Sequence, residues 1–101
     1  MMIKVANANE LKEGEGRVVE ANGAEIALFK KDGRFYAIDN RCAHQGGPLG
    51  EGWLEGDAVV CPWHQWRYNI KTGINEVAPS IKQKTFSVEV KGEDVFVEVP
   101  R

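Results

Sequence analysis

The sequence predicts a small all-β protein, and two observations support this. Glycine or proline recurs about every eight to twelve residues, a spacing typical of short strands joined by turns. No stretch of the 101 residues carries the sustained 3.6-residue apolar period of an amphipathic helix. We therefore expect antiparallel strands that form a β-sandwich-like base, with helix limited to single turns.

The first part of the chain is predicted to form four strands. They cover residues 2–5, 17–20, 24–31 and 34–39. One helical turn is expected after the first strand, because Asn7 and Glu10 have the spacing of a capping box. Asp32-Gly33 separates the third and fourth strands, and glycine tolerates the positive φ that a tight hairpin turn needs. This hairpin leads the chain to Cys42.

The second part is also predicted to consist of short strands. They cover residues 57–60, 67–70, 85–90 and 94–99, with turns at 71–73 and at Gly92. Apolar residues alternate with others at 86, 88 and 90 and again at 95, 97 and 99, so each of the last two strands should bury one face. We expect one domain, with a base formed by about residues 1–39 and 81–101 and a small subdomain inserted at about 40–80.

Two short motifs contain every cysteine and histidine of the chain. The first is Cys42-Ala43-His44, and the second is Cys61-Pro62-Trp63-His64. Thiolate and neutral imidazole are good ligands for iron and zinc, and two loops can bring four such donors together. The sequence therefore predicts one metal site with Cys42, His44, Cys61 and His64 as its ligands.

The same four residues admit several interpretations. Two thiolates and two imidazoles are the ligand set of a [2Fe-2S] cluster in which histidines replace cysteines on one iron. A Cys2His2 zinc site uses the same residue types, although common zinc patterns pair like ligands in sequence. The residues could also be core residues without a metal, or the cysteines could form a disulfide in an oxidising compartment.

The motifs resemble those of Rieske-type ferredoxins. The resemblance rests on Cys42-Ala43-His44-Gln45-Gly46 and Cys61-Pro62-Trp63-His64, and is supported by Ala78-Pro79, where the family has a proline-containing loop over the cluster. It spans most of the chain and implies a Rieske-like fold with one [2Fe-2S] cluster. In the family both cysteines bind an inner iron and both histidines bind an outer iron near the surface, and these roles carry over to the four ligands named above.

Further residues near the motifs are expected to surround the cluster. They are Gln45, Gly46, Trp63, Trp66, Tyr68 and Pro79. Glycine lets backbone N–H groups approach the sulfides. The two tryptophans are either ordinary core residues or a shield against water that tunes the potential. Trp53, before the second motif, is expected to be ordinary packing.

The chain departs from the family pattern after the second motif. Gln65 replaces the usual glycine, and a positive φ there would cost roughly 1 kcal/mol or more. Trp66 stands where high-potential members have a serine that donates to a bridging sulfide, whereas Tyr68 keeps the place of the other hydroxyl donor. The extra cysteine pair of those members is also missing. Because a lost donor destabilises the reduced cluster, we expect a potential of roughly −150 to +50 mV.

The resemblance implies a one-electron carrier rather than an enzyme. It would pass electrons from a reductase to an oxygenase or another terminal enzyme in transient complexes, as a monomer that docks through a mostly apolar rim at Gly46 to Leu49, Trp66 and Pro79. The alternative is the small subunit of a nitrite reductase, which is similar in length and fold. An oxygenase would need two further histidines for a non-haem iron, and the sequence has none left.

Charge and hydropathy argue against other partners. The formal net charge is −2 and no basic stripe is present, so binding to nucleic acid is not expected. No stretch approaches the ~20 apolar residues of a membrane span. The first ten residues also lack the basic start and apolar block of an export signal, so we expect a cytoplasmic protein.

Overall fold

The computed structural model describes residues 1–42, 47–63 and 65–99, and within these ranges the regular secondary structure is almost entirely β-strand. Ten strands are present there: β1 (Met2–Asn7), β2 (Gly16–Ala21), β3 (Ala24–Lys31), β4 (Arg34–Asp39), β5 (Trp53–Glu55), β6 (Ala58–Val60), β7 (Arg67–Asn69), β8 (Thr85–Phe86), β9 (Val88–Lys91) and β10 (Asp94–Glu98). Two single-turn 3-10 helices cover Ala8–Glu10 and Leu49–Glu51. The prediction of an all-β chain is confirmed. No helix in the described part could span a membrane.

The strands form three antiparallel sheets. Their orders are β1-β10-β9, β2-β3-β4-β8 and β5-β6-β7. The first two sheets combine strands from both ends of the chain, whereas the third lies wholly between Trp53 and Asn69. Cys61 directly follows β6, the central strand of this third sheet, so the second motif is carried by the small sheet.

The hairpin predicted at Asp32-Gly33 is present. Both residues have positive φ, 54° and 75°, which is what a type I′ turn requires. Asn22-Gly23 makes a second turn of the same kind between β2 and β3, with φ of 51° and 82°. Strands β2, β3 and β4 therefore form a meander, and the first motif follows the end of β4.

The capping box predicted after β1 is also confirmed. The side-chain oxygen of Asn7 accepts from the backbone N–H of Asn9 at 2.9 Å, and Glu10 Oε1 accepts from the backbone N–H of Asn7 at 2.7 Å. Because both orphan donors at the start of the turn are satisfied, the single 3-10 turn is stable without a longer helix.

The segment predicted as one strand at 85–90 is divided between two sheets. Thr85–Phe86 pairs with β4, and Val88–Lys91 pairs with β10. The expected buried face is wrong at Val90, which is 45% exposed, because the chain changes sheets at Ser87 and the alternation does not describe one continuous surface. The alternating valines at the C-terminal end are buried as predicted: Val95, Val97 and Val99.

Two hydrophobic cores lie on opposite faces of β3. Ile26 and Leu28 point into the core shared with β10, whereas Ala27 and Phe29 point into the core that contains both cysteines. All four residues are fully buried, so β3 is covered on both faces. Through continuous apolar packing, the second core joins β3 and β4 to the segments that carry the two cysteines.

Candidate metal centre

Cys42 lies at the base of a loop whose two ends are joined by hydrogen bonds. Its backbone N–H donates to the carbonyl oxygen of Gly47 at 2.9 Å, and the N–H of Leu49 donates to the carbonyl oxygen of Asn40 at 2.8 Å. The side chain of Asn40 adds a third bond by accepting from the N–H of Gly50 at 2.7 Å. These bonds fix the backbone on which the first thiol is carried.

Cys61 begins the tight connection between β6 and β7. Its backbone N–H donates to the carbonyl oxygen of Trp66 at 2.7 Å, which closes the connection. Within it, Gln65 has φ of 58°, the left-handed conformation that a side chain with a Cβ adopts at a cost. The strain expected if this position needed positive φ is therefore present.

The two thiols are buried side by side. Both cysteines are free thiols rather than a disulfide, and both lie in the second core. Burial is the main cause that raises the pKa of the Cys61 thiol to about 11; the hydrogen bond from the Trp63 amide opposes this, and the neighbouring Cys42 thiol adds to it. Because a metal binds the thiolate, its binding has to displace these protons.

The hydroxyl group of Tyr68 lies against the thiol of Cys42. Its Oη lies 3.3 Å from Sγ of Cys42, and the side chain is fully buried on β7. A metal-bound thiolate has no proton to give, so in the loaded protein the tyrosine O–H would be the donor. The structure thus places the predicted hydroxyl donor against the sulfur of a predicted ligand.

Gly47 brings the backbone of the first loop against the sulfur of the second. A Cβ at this position would lie 2.8 Å from Sγ of Cys61 and 3.1 Å from Cγ of Trp63, closer than side chains pack. The site therefore needs glycine here for a close approach. Two adjacent buried thiols and this backbone cradle fit a cofactor that takes two sulfur ligands at one iron.

The remaining predicted residues have different positions. Trp63 is half exposed and contacts Gly47. Trp66 is partly buried and packs against the core that holds both cysteines. Pro79 is exposed and lines a shallow groove with Asn69. Four predicted residues lie outside the described part of the chain: His44, Gln45, Gly46 and His64.

Two expectations about the surface near the site are wrong. Leu49 is fully buried and cannot belong to a docking rim, because its 3-10 turn packs it into the second core. Trp53 is 44% exposed, and its Nε1 donates to Glu55 at 2.8 Å. It lies on the solvent face of the third sheet rather than in the core.

Three features near the site were not found from the sequence. Val77 is 86% exposed, although nothing in the sequence distinguishes it from a core valine. Asn40 and Gln83 are buried polar residues next to the first motif. Asparagine and glutamine are mostly exposed in proteins, so no sequence signal marks them as part of the site.

A small all-β domain in which two loops carry two buried, adjacent thiols can hold an iron–sulfur cluster, as electron-transfer proteins do. The model of one family, the Rieske [2Fe-2S] domain, matches residues 1–97. The chain therefore belongs to the Rieske family, and its cofactor is a Rieske-type [2Fe-2S] cluster.

Curated relatives and solved structures are similar over nearly the whole chain. The ferredoxin component of a naphthalene 1,2-dioxygenase system from Pseudomonas aeruginosa is 36% identical over 91 residues, 89% of this chain and 88% of its own length. The ferredoxin subunit of a 3-phenylpropionate/cinnamic acid dioxygenase from Shigella boydii is 39% identical over 93 residues, 90% of this chain and 87% of its own. A structure of the complex of reduced oxygenase and oxidized ferredoxin in carbazole 1,9a-dioxygenase matches with a TM-score of 0.87 and 35% identity, covering 95% of this chain and 91% of that chain.

The same comparisons bear on the two functions considered from the sequence. The two curated relatives described above are named as a ferredoxin component and a ferredoxin subunit, and ferredoxins are electron carriers. A protein described as a nitrite reductase small subunit matches with a TM-score of 0.85 but only 21% identity, so this likeness shows the fold alone. The comparisons thus favour the carrier over the reductase subunit.

Proposed function

We propose that this chain is a one-electron carrier that receives electrons from a reductase and passes them to a terminal oxygenase. The observation that carries the proposal is the buried pair of Cys42 and Cys61, with the Tyr68 hydroxyl on one sulfur, in a chain similar to dioxygenase ferredoxins over about nine-tenths of its length. The bound cluster supplies a reversible one-electron step. The protein supplies the ligands of the cluster, an environment that excludes water from it, and a docking surface.

The proposed ligands are the four residues of the two motifs. Cys42 and Cys61 would hold one iron, which is supported by their adjacent, buried thiols. His44 and His64 would hold the other, since each follows a ligand cysteine by two or three residues in the same motif. Mixed ligation leaves the cluster less negative than four thiolates would, and this raises its potential relative to plant-type ferredoxins.

The proposed docking surface is formed by exposed apolar residues beside the second motif: Trp63, Val77 and Pro79. Val77 borders a small groove with Trp66 as its aromatic wall. The backbone at Val77 is fixed in this exposed position, because the Asn75 side-chain oxygen accepts from the N–H groups of Val77 and Ala78 at 2.9 and 2.8 Å. A small, rigid apolar surface suits a transient electron-transfer complex.

Three further points belong to this proposal. The base would comprise residues 1–39 and 81–101 and the cluster-binding subdomain residues 40–80, which is supported by the third sheet lying within 53–69. The protein would act in the cytoplasm. It would also act as a monomer, since a carrier has to expose its docking surface to two partners in turn.

The proposal is tested in two steps with the purified protein. Visible absorption and electron paramagnetic resonance (EPR) of the reduced form should show a mixed-ligand [2Fe-2S] cluster, and each His→Ala variant at the two motifs should lose it. The protein should then couple a ferredoxin reductase to an aromatic-ring dioxygenase. A colourless protein with stoichiometric zinc would contradict the cofactor assignment, and permanent co-purification with a nitrite reductase would contradict the role as a free carrier.

A further inference from the structure

Besides the hydroxyl of Tyr68, three polar side chains are buried in the described part of the chain, and all three are neutral carboxamides. They are Asn40, Asn75 and Gln83, each 4% exposed or less. Each one binds the backbone of a loop at the metal site or of the segment beside it: Asn40 the end of the first loop, Asn75 the segment with Val77, and Gln83 the residues that precede Cys42. Buried polar groups are costly unless they are hydrogen-bonded. The location of all three carboxamides near the metal site therefore indicates that they have a structural role there.

Gln83 makes the contact nearest to a ligand. Its Nε2 donates to the carbonyl oxygen of Asp39 at 3.1 Å and to that of Arg41 at 2.5 Å. The Arg41 carbonyl belongs to the peptide group that ends at Cys42, and the N–H of the same peptide donates to Gly47. The carbonyl end of this peptide group is therefore held by the Gln83 side chain, and its N–H end is held by the carbonyl oxygen of Gly47.

The position of Gln83 is itself fixed by its backbone. Its N–H donates to the carbonyl oxygen of Gly73 at 2.7 Å. Gly73 has φ of 78°, and a Cβ there would lie 2.2 Å from the carbonyl oxygen of Gln83. Because the backbone segments at Gly73 and Gln83 are in close contact, the backbone of Gln83 is fixed. Its side-chain amide therefore has little freedom to move away from its two acceptor oxygens.

A neutral amide suits this location for a physical reason. Lysine could also donate to the two carbonyl oxygens, but it would add a charge to a buried region, which costs free energy and would shift the potential of a nearby redox centre. A carboxylate would repel both oxygens. Glutamine satisfies both acceptors without adding charge.

We propose that Gln83 is a positioning residue for the cluster: it clamps the Arg41–Cys42 peptide and so sets the orientation of the Cys42 sulfur. The inference rests on the proposed function, since it assumes that Cys42 binds the cluster. It links a residue far along the chain, after the segment with Pro79, to the geometry of the first ligand. Outer partners that orient metal ligands commonly change metal affinity by 10- to 100-fold when they are removed.

The test compares two variants with the unmodified holoprotein. Gln83→Met keeps the length of the side chain and removes the donor, and Gln83→Glu keeps its shape and places a carboxylate against the two carbonyls. Both should release iron to an iron(II) chelator about 10-fold faster than the unmodified protein. Both should also shift the g values of the reduced cluster in EPR, which a general loss of stability would not do.

Asn7→Ala is the matched control, because it also removes amide-to-backbone bonds but lies in the base, at the first turn. It should keep the native g values and iron release rate even if the thermal midpoint falls. Native EPR spectra and native release rates in both Gln83 variants would overturn the inference while leaving the cluster assignment intact. If one variant fails to fold, the other decides. A cluster-free unmodified protein would overturn the proposed function and this inference together.

Discussion

The hydroxyl oxygen of Tyr68 lies 3.3 Å from the sulfur of Cys42, although the two residues are 26 positions apart in the sequence. Tyr68 lies on β7 of the third sheet, and Cys42 follows β4 of the second sheet, so this contact joins the small sheet to the loop that carries the first motif. A hydrogen bond to a ligand sulfur stabilises the electron-rich form of a cluster. With Cys42 as a ligand, as proposed, this contact would influence the reduction potential of the cluster.

Tyr68→Phe should lower the reduction potential. The variant loses a donor that stabilises the reduced cluster more than the oxidised one, and a difference of about 1 kcal/mol corresponds to roughly 40 mV for one electron. Redox titration followed by EPR measures this shift. Tyr36→Phe, at the only other tyrosine of the chain, should leave the potential unchanged. An unchanged potential in Tyr68→Phe would mean that the hydroxyl does not act on the sulfur.

Gly47→Ala should greatly reduce the amount of cluster bound. The added Cβ would lie 2.8 Å from the sulfur of Cys61, so either the first loop or the ligand must move. Iron and acid-labile sulfide per chain are the quantities to measure. Gly56→Ala is the control, because its φ of 63° makes alanine strained there while its Cβ would meet open space. Full iron content in Gly47→Ala would show that the first loop can move to accommodate the added Cβ.

Gln65→Gly should stabilise the protein. Glycine removes a left-handed strain of roughly 1 kcal/mol, part of which is offset by the greater freedom of glycine in the unfolded chain. We expect the thermal midpoint of the holoprotein, at a fixed scan rate, to rise by about 2–4 °C. Gln65→Ala keeps the strained φ of 58° and should bring no such gain; an equal gain in both variants would point to a cause other than backbone strain.

Val77→Asp should weaken transfer to the terminal oxygenase without changing the cluster. The side chain is 86% exposed on the proposed docking surface, and a charge there would have to be desolvated in the complex. We expect the apparent KM of the oxygenase for this protein to rise about 10-fold, with native EPR spectrum and potential. Val90→Asp, on the exposed face of β9, should leave KM unchanged. A native KM in Val77→Asp would place the docking surface elsewhere.

Glu13 should make the β3–β4 hairpin sensitive to acid. Its carboxylate accepts from the N–H groups of Asp32 and Gly33, and the first of these bonds is the main cause that holds the pKa of Glu13 below its usual 4.5. The stabilisation is complete above pH 4.5 and is lost as the pH falls through the lowered pKa. The amide proton shifts of both hairpin residues in NMR should follow this titration, and Glu13→Gln should abolish it. Titration at or above 4.5 would contradict the bracing role.

Local chemistry explains why much of this protein could be predicted. Asn7 with Glu10, and Asp32 with Gly33, determine their turns through their own side-chain and backbone preferences, and the structure has both. The two motifs pointed to the Rieske family, and the comparisons confirm it. The ligand roles of Cys42, His44, Cys61 and His64 remain predictions.

Properties that depend on distant neighbours were decided only by the tertiary structure. The contact of Tyr68 with Cys42, the close approach of Gly47 to Cys61, and the burial of Gln83 each join segments far apart in sequence. The strand at 85–90 was mispredicted for the same reason, since its alternation cannot reveal that the chain changes sheets at Ser87. Sequence determines which residues can turn, pair or bind a metal, because those preferences are local. Which surfaces they meet is decided when the sheets pack and exclude water.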